Sequence, residues 1–169
     1  MDLSLLKNKF LLRKEIRFLN FGSFGACARP VFERYQQYQL EMEEEPLHFM
    51  MEKGLAYLKQ AREALAKFIN CHADDVVYVT NPSYGVNIIA KSFPLQPGDE
   101  VLTTNLEYGA CDRAWKYYCK QKGATYKQCS IQLPLQSRQD FITQLSAGIN
   151  NKTRLIFLSH ITSATALRL

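Results

Sequence analysis

Residues 80–87 form the first segment with the chemistry of a binding site, because a serine and a glycine stand at the predicted start of a helix. Ser83 is expected at or near the helix N-cap, where its hydroxyl can accept a backbone hydrogen bond or donate to a ligand. The N–H groups of Ser83, Tyr84 and Gly85 would point along the helix dipole, an arrangement that binds anions. An ordinary capped helix start is the competing interpretation. The segment matches neither the glycine-rich dinucleotide motif nor the phosphate loop ending in Gly-Lys-Ser/Thr.

Three other segments could meet the same ligand. Tyr108 follows a predicted strand and could stack on a planar ring, although a packed surface aromatic is the commoner case in a chain with nine tyrosines. Residues 160–165 bring several hydroxyl groups together after the last predicted strand, with a plain polar turn as the alternative. Residues 20–25 are a glycine-containing turn that could fold over the same edge.

Alternating helices and strands must position these segments. Two N-terminal helices are predicted at residues 30–45 and 51–70. The predicted strands are residues 76–80, 100–104, 124–130 and 153–159, and the helices between them are residues 83–92, 109–122 and 136–147. This β-α-β-α-β-α-β order predicts an α/β fold with a mostly parallel sheet. In such sheets, ligands bind beyond the carboxyl ends of the strands.

Composition excludes several classes of protein. With 169 residues, 47% of them hydrophobic, the chain fits one folded domain and not a disordered segment. The net charge of +5 is spread out, which argues against nucleic acid as a partner. No apolar run approaches the ~18 residues of a membrane span and no secretory pattern is seen, so a cytoplasmic location is expected. Neither the five cysteines nor the three histidines have metal-ligand spacing, so no metal site is predicted.

Taken in order, the motifs of this chain resemble those of class V aminotransferases, which are pyridoxal-phosphate (PLP) enzymes of fold type I. The matching segments are residues 18–25, 81–87, 98–101, 107–110 and 159–163. The chain is most similar to the isopenicillin-N-epimerase-like branch, with cysteine desulfurases more distant. Each motif is weak alone, but five in order at fitting spacing are specific. The resemblance implies an N-terminal arm and first helix in residues 1–50 and an incomplete, PLP-binding large domain in residues 51–169.

The resemblance also implies roles for particular residues. The implied cofactor contacts are Pro82, Ser83, Tyr84, Tyr108 and Ser163, and the implied substrate-side contacts are Asn20, Gly22 and Ser23. The first three would hold the cofactor phosphate, with one donor fewer because proline lacks an N–H group. Tyr108 would stack on the pyridine ring, and Ser163 would lie near the ring hydroxyl and the substrate.

The implied reaction removes the α-proton of an amino acid bound through an external aldimine, followed by transamination, epimerisation or β-elimination. That chemistry needs a Schiff-base lysine and an acid beside the pyridine nitrogen. No catalytic residue is assigned in this chain: Lys91, Lys116, Lys120 and Lys122 are interpreted as helix-surface residues, and Asp112 with Arg113 as a solvated pair. We expect both missing groups beyond residue 169, and the chain alone to be inactive.

The resemblance implies a homodimer that acts on a small amino-acid substrate, with neither nucleic acid nor membrane as a partner. Two alternatives remain open on the residues alone. One is a non-catalytic α/β module that binds a phosphorylated small molecule at the predicted anion site. The other is an assembly partner that uses the sheet edge and the acidic first helix.

Overall fold

The computed structural model describes residues 6–169. The chain divides into two compact units, and the division along the sequence falls between Tyr78 and Val79. Each unit has its own internal packing. The division predicted from the resemblance, between residues 50 and 51, concerns the domains of the parent family and stays a prediction.

The first unit is helical. Its α1 helix spans Arg29–Glu44 and its α2 helix spans Gly54–Ile69. A helical turn at Pro46–His48 and a wider π-helical turn at Phe49–Lys53 join them. The two predicted N-terminal helices are confirmed to within a few residues, since the π-helical turn covers the start of the predicted second helix.

The α1 and α2 helices contact each other through an aromatic and charged cluster. The rings of Tyr38 and Tyr57 lie 4.8 Å apart between centroids, and the Tyr57 hydroxyl donates to Glu41 Oε2 at 2.8 Å. The Arg34 guanidinium lies 4.3 Å from the Tyr38 ring centroid, a cation–π distance. The hydrogen bond to Glu41 raises the pKa of Tyr57.

The second unit is an α/β unit built around a three-stranded parallel sheet. Its elements are α3 (Pro82–Ser92), β1 (Glu100–Thr104), α4 (Gly109–Gln121), β2 (Thr125–Cys129), α5 (Arg138–Ser146) and β3 (Thr153–Ile156). The strand order is β2-β1-β3, and β1 pairs in parallel with both neighbours. The predicted fold class is confirmed, and so are six of the seven predicted elements between residues 76 and 159.

The strand predicted at residues 76–80 is wrong. These residues run extended after a turn at Ala73–Asp75, but within residues 6–169 they pair with no strand. Val77 is 77% exposed, and Tyr78 and Val79 are also exposed. A β-branched and aromatic run favours extended backbone, but a strand also requires a partner, which local sequence does not supply.

Helices cover both faces of the sheet. The neighbouring residues Val101 and Leu102 are both fully buried, and adjacent strand residues point to opposite faces. On one face, Val101 packs with Trp115 of α4 and Ala90 of α3. On the other face, Leu102 packs with Phe141 of α5 and other apolar side chains. β1 is therefore buried on both faces, although only two of its five residues, Val101 and Leu102, are apolar.

Within residues 6–169, no helix has the length and apolar character that crossing a membrane requires. In the same range, no three His, Cys, Asp or Glu side chains are grouped as they would be around a metal ion.

Candidate functional site

The α3 helix begins with an asparagine cap. The Asn81 side-chain oxygen accepts a hydrogen bond from the Tyr84 N–H at 2.8 Å, and the Asn81 backbone carbonyl accepts from the Gly85 N–H at 3.2 Å. The prediction that Ser83 lies at the cap is therefore corrected by two positions: Pro82 occupies the first helical turn and Ser83 follows it. Asparagine followed by proline is a common helix start, since asparagine caps well and proline suits the first turn.

Ser83 keeps its polar groups available. Among the described residues, neither its N–H nor its hydroxyl makes a hydrogen bond, while its carbonyl accepts from Asn87 Nδ2 at 2.8 Å. Two of the three N–H groups predicted to form an anion site, those of Tyr84 and Gly85, are already bonded to Asn81. The available anion donors at this helix start are therefore the N–H and the hydroxyl of Ser83.

The α4 helix begins directly after the loop that follows β1. Tyr108 is the N-cap residue that precedes Gly109, its side chain makes no capping hydrogen bond, and the residue is 51% exposed. The Arg113 guanidinium lies over Gly109, where it would be 3.3 Å from an added Cβ. The sequence predicted a solvated pair of Asp112 with Arg113, but the Asp112 carboxylate instead accepts from Lys116 Nζ at 2.7 Å and from Gln128 Nε2 at 2.8 Å.

The α3 and α4 helices run in the same direction. Lys122, at the end of α4, donates from Nζ to three carbonyls at the end of α3: those of Ala90 at 3.3 Å, Lys91 at 2.7 Å and Phe93 at 2.5 Å. The helices also pack side by side through the Val101 face of the sheet. Since the two helices end together and lie alongside each other, they also begin together. Ser83 and Tyr108 therefore lie at the same end of the unit, the end where β1 finishes.

Glu107 connects this end to β3. Its Oε1 accepts the Ser159 N–H at 3.0 Å, and its Oε2 accepts the Ser159 hydroxyl at 2.6 Å. The Thr104 hydroxyl contacts Oε1 at 3.5 Å. One carboxylate thus joins the loop before α4 to the segment after β3, which are 52 residues apart in sequence.

The segment after β3 folds into a tight turn around Thr162. Thr162 is buried, and its hydroxyl lies 2.6 Å from the Thr165 hydroxyl and accepts the Leu167 N–H at 3.0 Å. Of the hydroxyls predicted to form a cluster here, those of Thr162 and Thr165 are therefore engaged with each other. Ser163 lies at the exposed tip of the turn, and no described residue bonds its hydroxyl.

The predicted substrate-side residues belong to the first unit. Asn20, Gly22 and Ser23 are exposed in a turn where the Asn20 carbonyl accepts the Phe24 N–H at 3.1 Å. Because the cofactor-side residues belong to the second unit, the proximity of the two groups stays a prediction.

The Cys111 thiol, in the first turn of α4, is a poor nucleophile. Burial raises the pKa of Cys111, and the nearby Glu107 carboxylate raises it further. Cys111 therefore remains a protonated thiol at neutral pH and is a poor nucleophile. Lys122 and Lys116 are occupied by the contacts described above, whereas Lys91 and Lys120 are exposed on their helices.

Two residues at this end received no role from sequence reasoning. Asn81 could have been found, because asparagine before proline at a predicted helix start is a capping pattern. Glu107 could not, because its partner Ser159 is distant in sequence and no local pattern connects the two.

The fold of the described chain is that of the fold-type-I PLP enzymes. The cystine C–S lyase C-DES, solved as a variant with glycine covalently linked to its PLP cofactor, superposes with a TM-score of 0.83 at 23% identity. The match covers 94% of this chain and 42% of that one. A cysteine desulfurase from Escherichia coli superposes with a TM-score of 0.80 at 20% identity. At this level of identity the likeness concerns the fold alone.

The family model described as Aminotransferase class-V matches residues 26–166. This chain belongs to the class V aminotransferase family. It is 32% identical over 163 residues to the isopenicillin N epimerase of Streptomyces clavuligerus, covering 95% of this chain and 40% of the epimerase. A probable cysteine desulfurase of Staphylococcus epidermidis is 27% identical over 109 residues. The predicted family resemblance is confirmed, and the chain spans less than half the length of these relatives.

Proposed function

We propose that the end of the second unit where β1 finishes binds pyridoxal phosphate, with its phosphate at the start of α3 and its ring against Tyr108. The observation that carries the proposal is the pair of available donors on Ser83, at the start of a helix that begins beside α4. Membership of the class V family supports the choice of ligand.

The phosphate fits the chemistry of the α3 start. A phosphate oxygen would accept the Ser83 N–H and hydroxyl, and the positive end of the helix dipole favours its negative charge. Pro82 offers no N–H, and the Tyr84 N–H is held by Asn81 at 2.8 Å. A third donor, the Tyr84 N–H, is therefore available only if the Asn81 side chain turns away, which makes this a site of modest strength.

The ring fits the start of α4. Tyr108 presents a half-exposed aromatic face, and aromatic rings prefer offset or edge contacts with other rings at 4.5–7 Å, on the order of 1 kcal/mol each. The Ser163 hydroxyl, which no described residue bonds, is available to a ring oxygen or to the substrate. Asn20, Gly22 and Ser23 are proposed to line the substrate side.

When bound, pyridoxal phosphate supplies an electron sink for an amino acid that has lost its α-proton. This chain's residues bind the phosphate and orient the ring. Lys91 and Lys120 are exposed on their helices, and Lys116 and Lys122 are occupied by other contacts. We propose that the described residues hold the cofactor and that proton transfer depends on a lysine outside them. The amino-acid substrate and the outcome, whether transamination, epimerisation or β-elimination, stay predictions.

Equilibrium binding tests the site. Pyridoxal phosphate is titrated into wild type, Ser83→Ala and Tyr108→Ala, with pyridoxal and inorganic phosphate as competing ligands. We expect Ser83→Ala to weaken pyridoxal phosphate about tenfold, since a hydrogen bond to a charged group contributes about 1.5–3 kcal/mol, and to leave pyridoxal unchanged. Tyr108→Ala should weaken both pyridoxal compounds and leave inorganic phosphate unchanged. Equal binding of pyridoxal phosphate by all three proteins overturns the proposal.

The same titration separates the alternatives. A non-catalytic phosphate-binding module binds inorganic phosphate and pyridoxal phosphate equally well, and Tyr108→Ala has no effect on it. An assembly partner binds none of the three ligands and self-associates as its concentration rises.

Borohydride reduction tests the proposed absence of a reactive lysine. Reduction of the PLP-treated chain, followed by mass analysis of its peptides, should show no single lysine labelled in stoichiometric amount. Stoichiometric labelling of one lysine within residues 6–169 would contradict the proposal that this chain only holds the cofactor.

The homodimer and the cytoplasmic location also stay proposals. Exposed apolar side chains on α2, among them Leu55, Leu58 and Phe68, are compatible with self-association. Sedimentation over a range of concentrations measures it directly: a mass that stays monomeric throughout contradicts the homodimer.

A further inference from the structure

Glu107 is a carboxylate held only by neutral groups. Both of its oxygens accept from Ser159, at 3.0 Å and 2.6 Å, and the Thr104 hydroxyl contacts Oε1. Among the described residues, no lysine, arginine or histidine forms an ion pair with it. Glu107 and Ser159 are both half-buried, so the negative charge is only partly hydrated.

Glu100 at the other end of β1 offers a direct comparison. It too is half-buried, but it pairs with Lys127 at 3.7 Å and accepts from Asn150 Nδ2 at 3.0 Å. Its charge is balanced by a cation, which is the usual arrangement for a partly buried carboxylate. Glu107 lacks that balance, so an uncharged side chain could hold the backbone there at lower electrostatic cost.

What distinguishes Glu107 is what its bonds connect. It immediately precedes Tyr108, which opens α4, and its partner Ser159 lies four residues before Ser163. The two bonds to Ser159 fix the loop after β1 against the segment after β3 in a defined geometry, since two bonds from one residue restrict rotation as well as distance. A displacement of either segment would move Tyr108 relative to the Ser163 turn.

We propose that Glu107 is a positioning residue of the cofactor site, which holds the Tyr108 ring and the Ser163 turn in register through its paired bonds to Ser159. The inference rests on the proposed function above. Glu107 does not touch the cofactor in this proposal; it acts through Tyr108 and Ser159.

The test compares Glu107→Gln with Glu100→Gln, its matched control at the opposite end of β1. Both variants keep the size of the side chain and remove one charge. Glu107→Gln replaces two charge-assisted bonds with neutral ones: its amide oxygen can still accept the Ser159 N–H, but its amide nitrogen can meet the Ser159 hydroxyl only by donating to it, so the pair is weakened and one bond is reversed. We expect pyridoxal phosphate to bind about five- to tenfold more weakly to Glu107→Gln, whereas Glu100→Gln should change the affinity less than about twofold.

A spectroscopic readout separates positioning from mere stability. The circular dichroism of bound pyridoxal phosphate depends on how the ring lies in its chiral surroundings. At saturating ligand, Glu107→Gln should alter this signal, and Glu100→Gln should leave it as in wild type even if both variants melt at a lower temperature.

A double-mutant cycle with Ser159→Ala tests the path. If Glu107 acts through Ser159, the double variant Glu107→Gln/Ser159→Ala should bind pyridoxal phosphate no more weakly than either single variant. Additive losses contradict this path.

Hydrogen exchange of the ligand-free chain provides a test that needs no cofactor. We expect faster exchange at the Ser159 N–H in Glu107→Gln and an unchanged rate in Glu100→Gln. Unchanged exchange overturns the holding role. If wild type binds pyridoxal phosphate and Glu107→Gln binds it equally with the same dichroism, only the Glu107 proposal fails. If wild type does not bind, the proposed function fails, and with it any role of Glu107 toward the cofactor.

Discussion

The small sheet has an amino edge, where its strands begin, and a carboxyl edge, where they end, and the polar groups at these two edges differ in their hydrogen bonding. At the amino edge, where β1 begins, the backbone is closed on itself: the Gly98 N–H donates to the Gly123 carbonyl at 2.9 Å, and the Glu100 N–H donates to Lys152 at 2.8 Å. At the carboxyl edge, where β1 ends, Ser83 has two donors without partners and Tyr108 is half exposed. At the amino edge these backbone groups bond to one another, whereas at the carboxyl edge several polar groups remain available to a ligand.

This difference separates stability from binding. Gly98 and Gly123 have φ values of 91° and 67°, which glycine adopts without strain, and they close two turns at the amino edge. Substitutions at the amino edge should therefore lower the free energy of unfolding and spare ligand affinity. Substitutions of Ser83 or Tyr108 at the carboxyl edge should change affinity more than stability.

Gly148→Ala should give the largest effect. Gly148 follows α5, on the sheet face that carries Leu102, and an added Cβ would overlap Cys129 Sγ and come within 2.9 Å of a Leu102 methyl carbon. Overpacking of a well-filled core costs about 1–3 kcal/mol, so the melting temperature should fall by about 3–12 °C. Calorimetry measures this shift. Gly85→Ala is the control, because its Cβ would meet Val79 at an ordinary 3.5 Å. Equal melting temperatures for the two variants would contradict the claim that overlap with Cys129 and Leu102 destabilises the fold.

Lys122→Met should give the next largest effect. Lys122 donates to three carbonyls at the end of α3, and its charge lies at the negative end of that helix dipole. We expect a loss of about 1–2 kcal/mol, measured by urea unfolding. Lys120→Met, on an exposed position of the same helix, should cost less than about 0.5 kcal/mol. Comparable losses in both variants would show that the contacts to α3 contribute nothing.

Asn81→Ala should act in opposite directions on stability and affinity. Loss of the asparagine cap costs about 1 kcal/mol. The same change releases the Tyr84 N–H, so phosphate binding at this helix start should strengthen about threefold, which is less than one net hydrogen bond. Unfolding and phosphate titration on one sample measure both. Weaker phosphate binding would place the Asn81 side chain among the phosphate ligands.

Tyr126→Phe should have the smallest effect at neutral pH. The Tyr126 hydroxyl is buried without a hydrogen-bond partner, so its removal should be neutral or stabilise by about 0.5 kcal/mol. Burial raises the pKa of Tyr126, and the nearby Asp112 carboxylate raises it further. The folded state therefore keeps the phenol protonated, whereas the unfolded chain ionises near pH 10, so wild-type stability falls as pH rises above about 10.

The control for this prediction is Tyr117→Phe, at an exposed tyrosine of α4. Tyr126→Phe should lose part of the alkaline decline in stability, and Tyr117→Phe should retain all of it. If stability falls equally with rising pH in the two variants, the burial of Tyr126 does not cause the alkaline decline, and the prediction is wrong.

Sequence reasoning predicted the elements well where one local signal decided them. Residues 100–104 were correctly predicted as a strand, with the bounds that β1 has in the structure. The strand at residues 76–80 failed because pairing depends on distant chain. At the candidate site, Ser83 was proposed from its place at a predicted helix start and Tyr108 from its place after a predicted strand, and their roles toward a ligand stay predictions. Glu107 was missed because its role depends on Ser159, which only the fold brings near.

The most direct measurement of the central claim is an amide-resolved NMR titration of the chain with pyridoxal phosphate. The proposal predicts that the largest shift changes fall on the Ser83 and Tyr108 amides, and that inorganic phosphate reproduces the first but not the second. The Gly98 and Gly123 amides at the amino edge should stay unchanged. Shift changes concentrated at the amino edge, or none at Ser83, would contradict the proposed cofactor site.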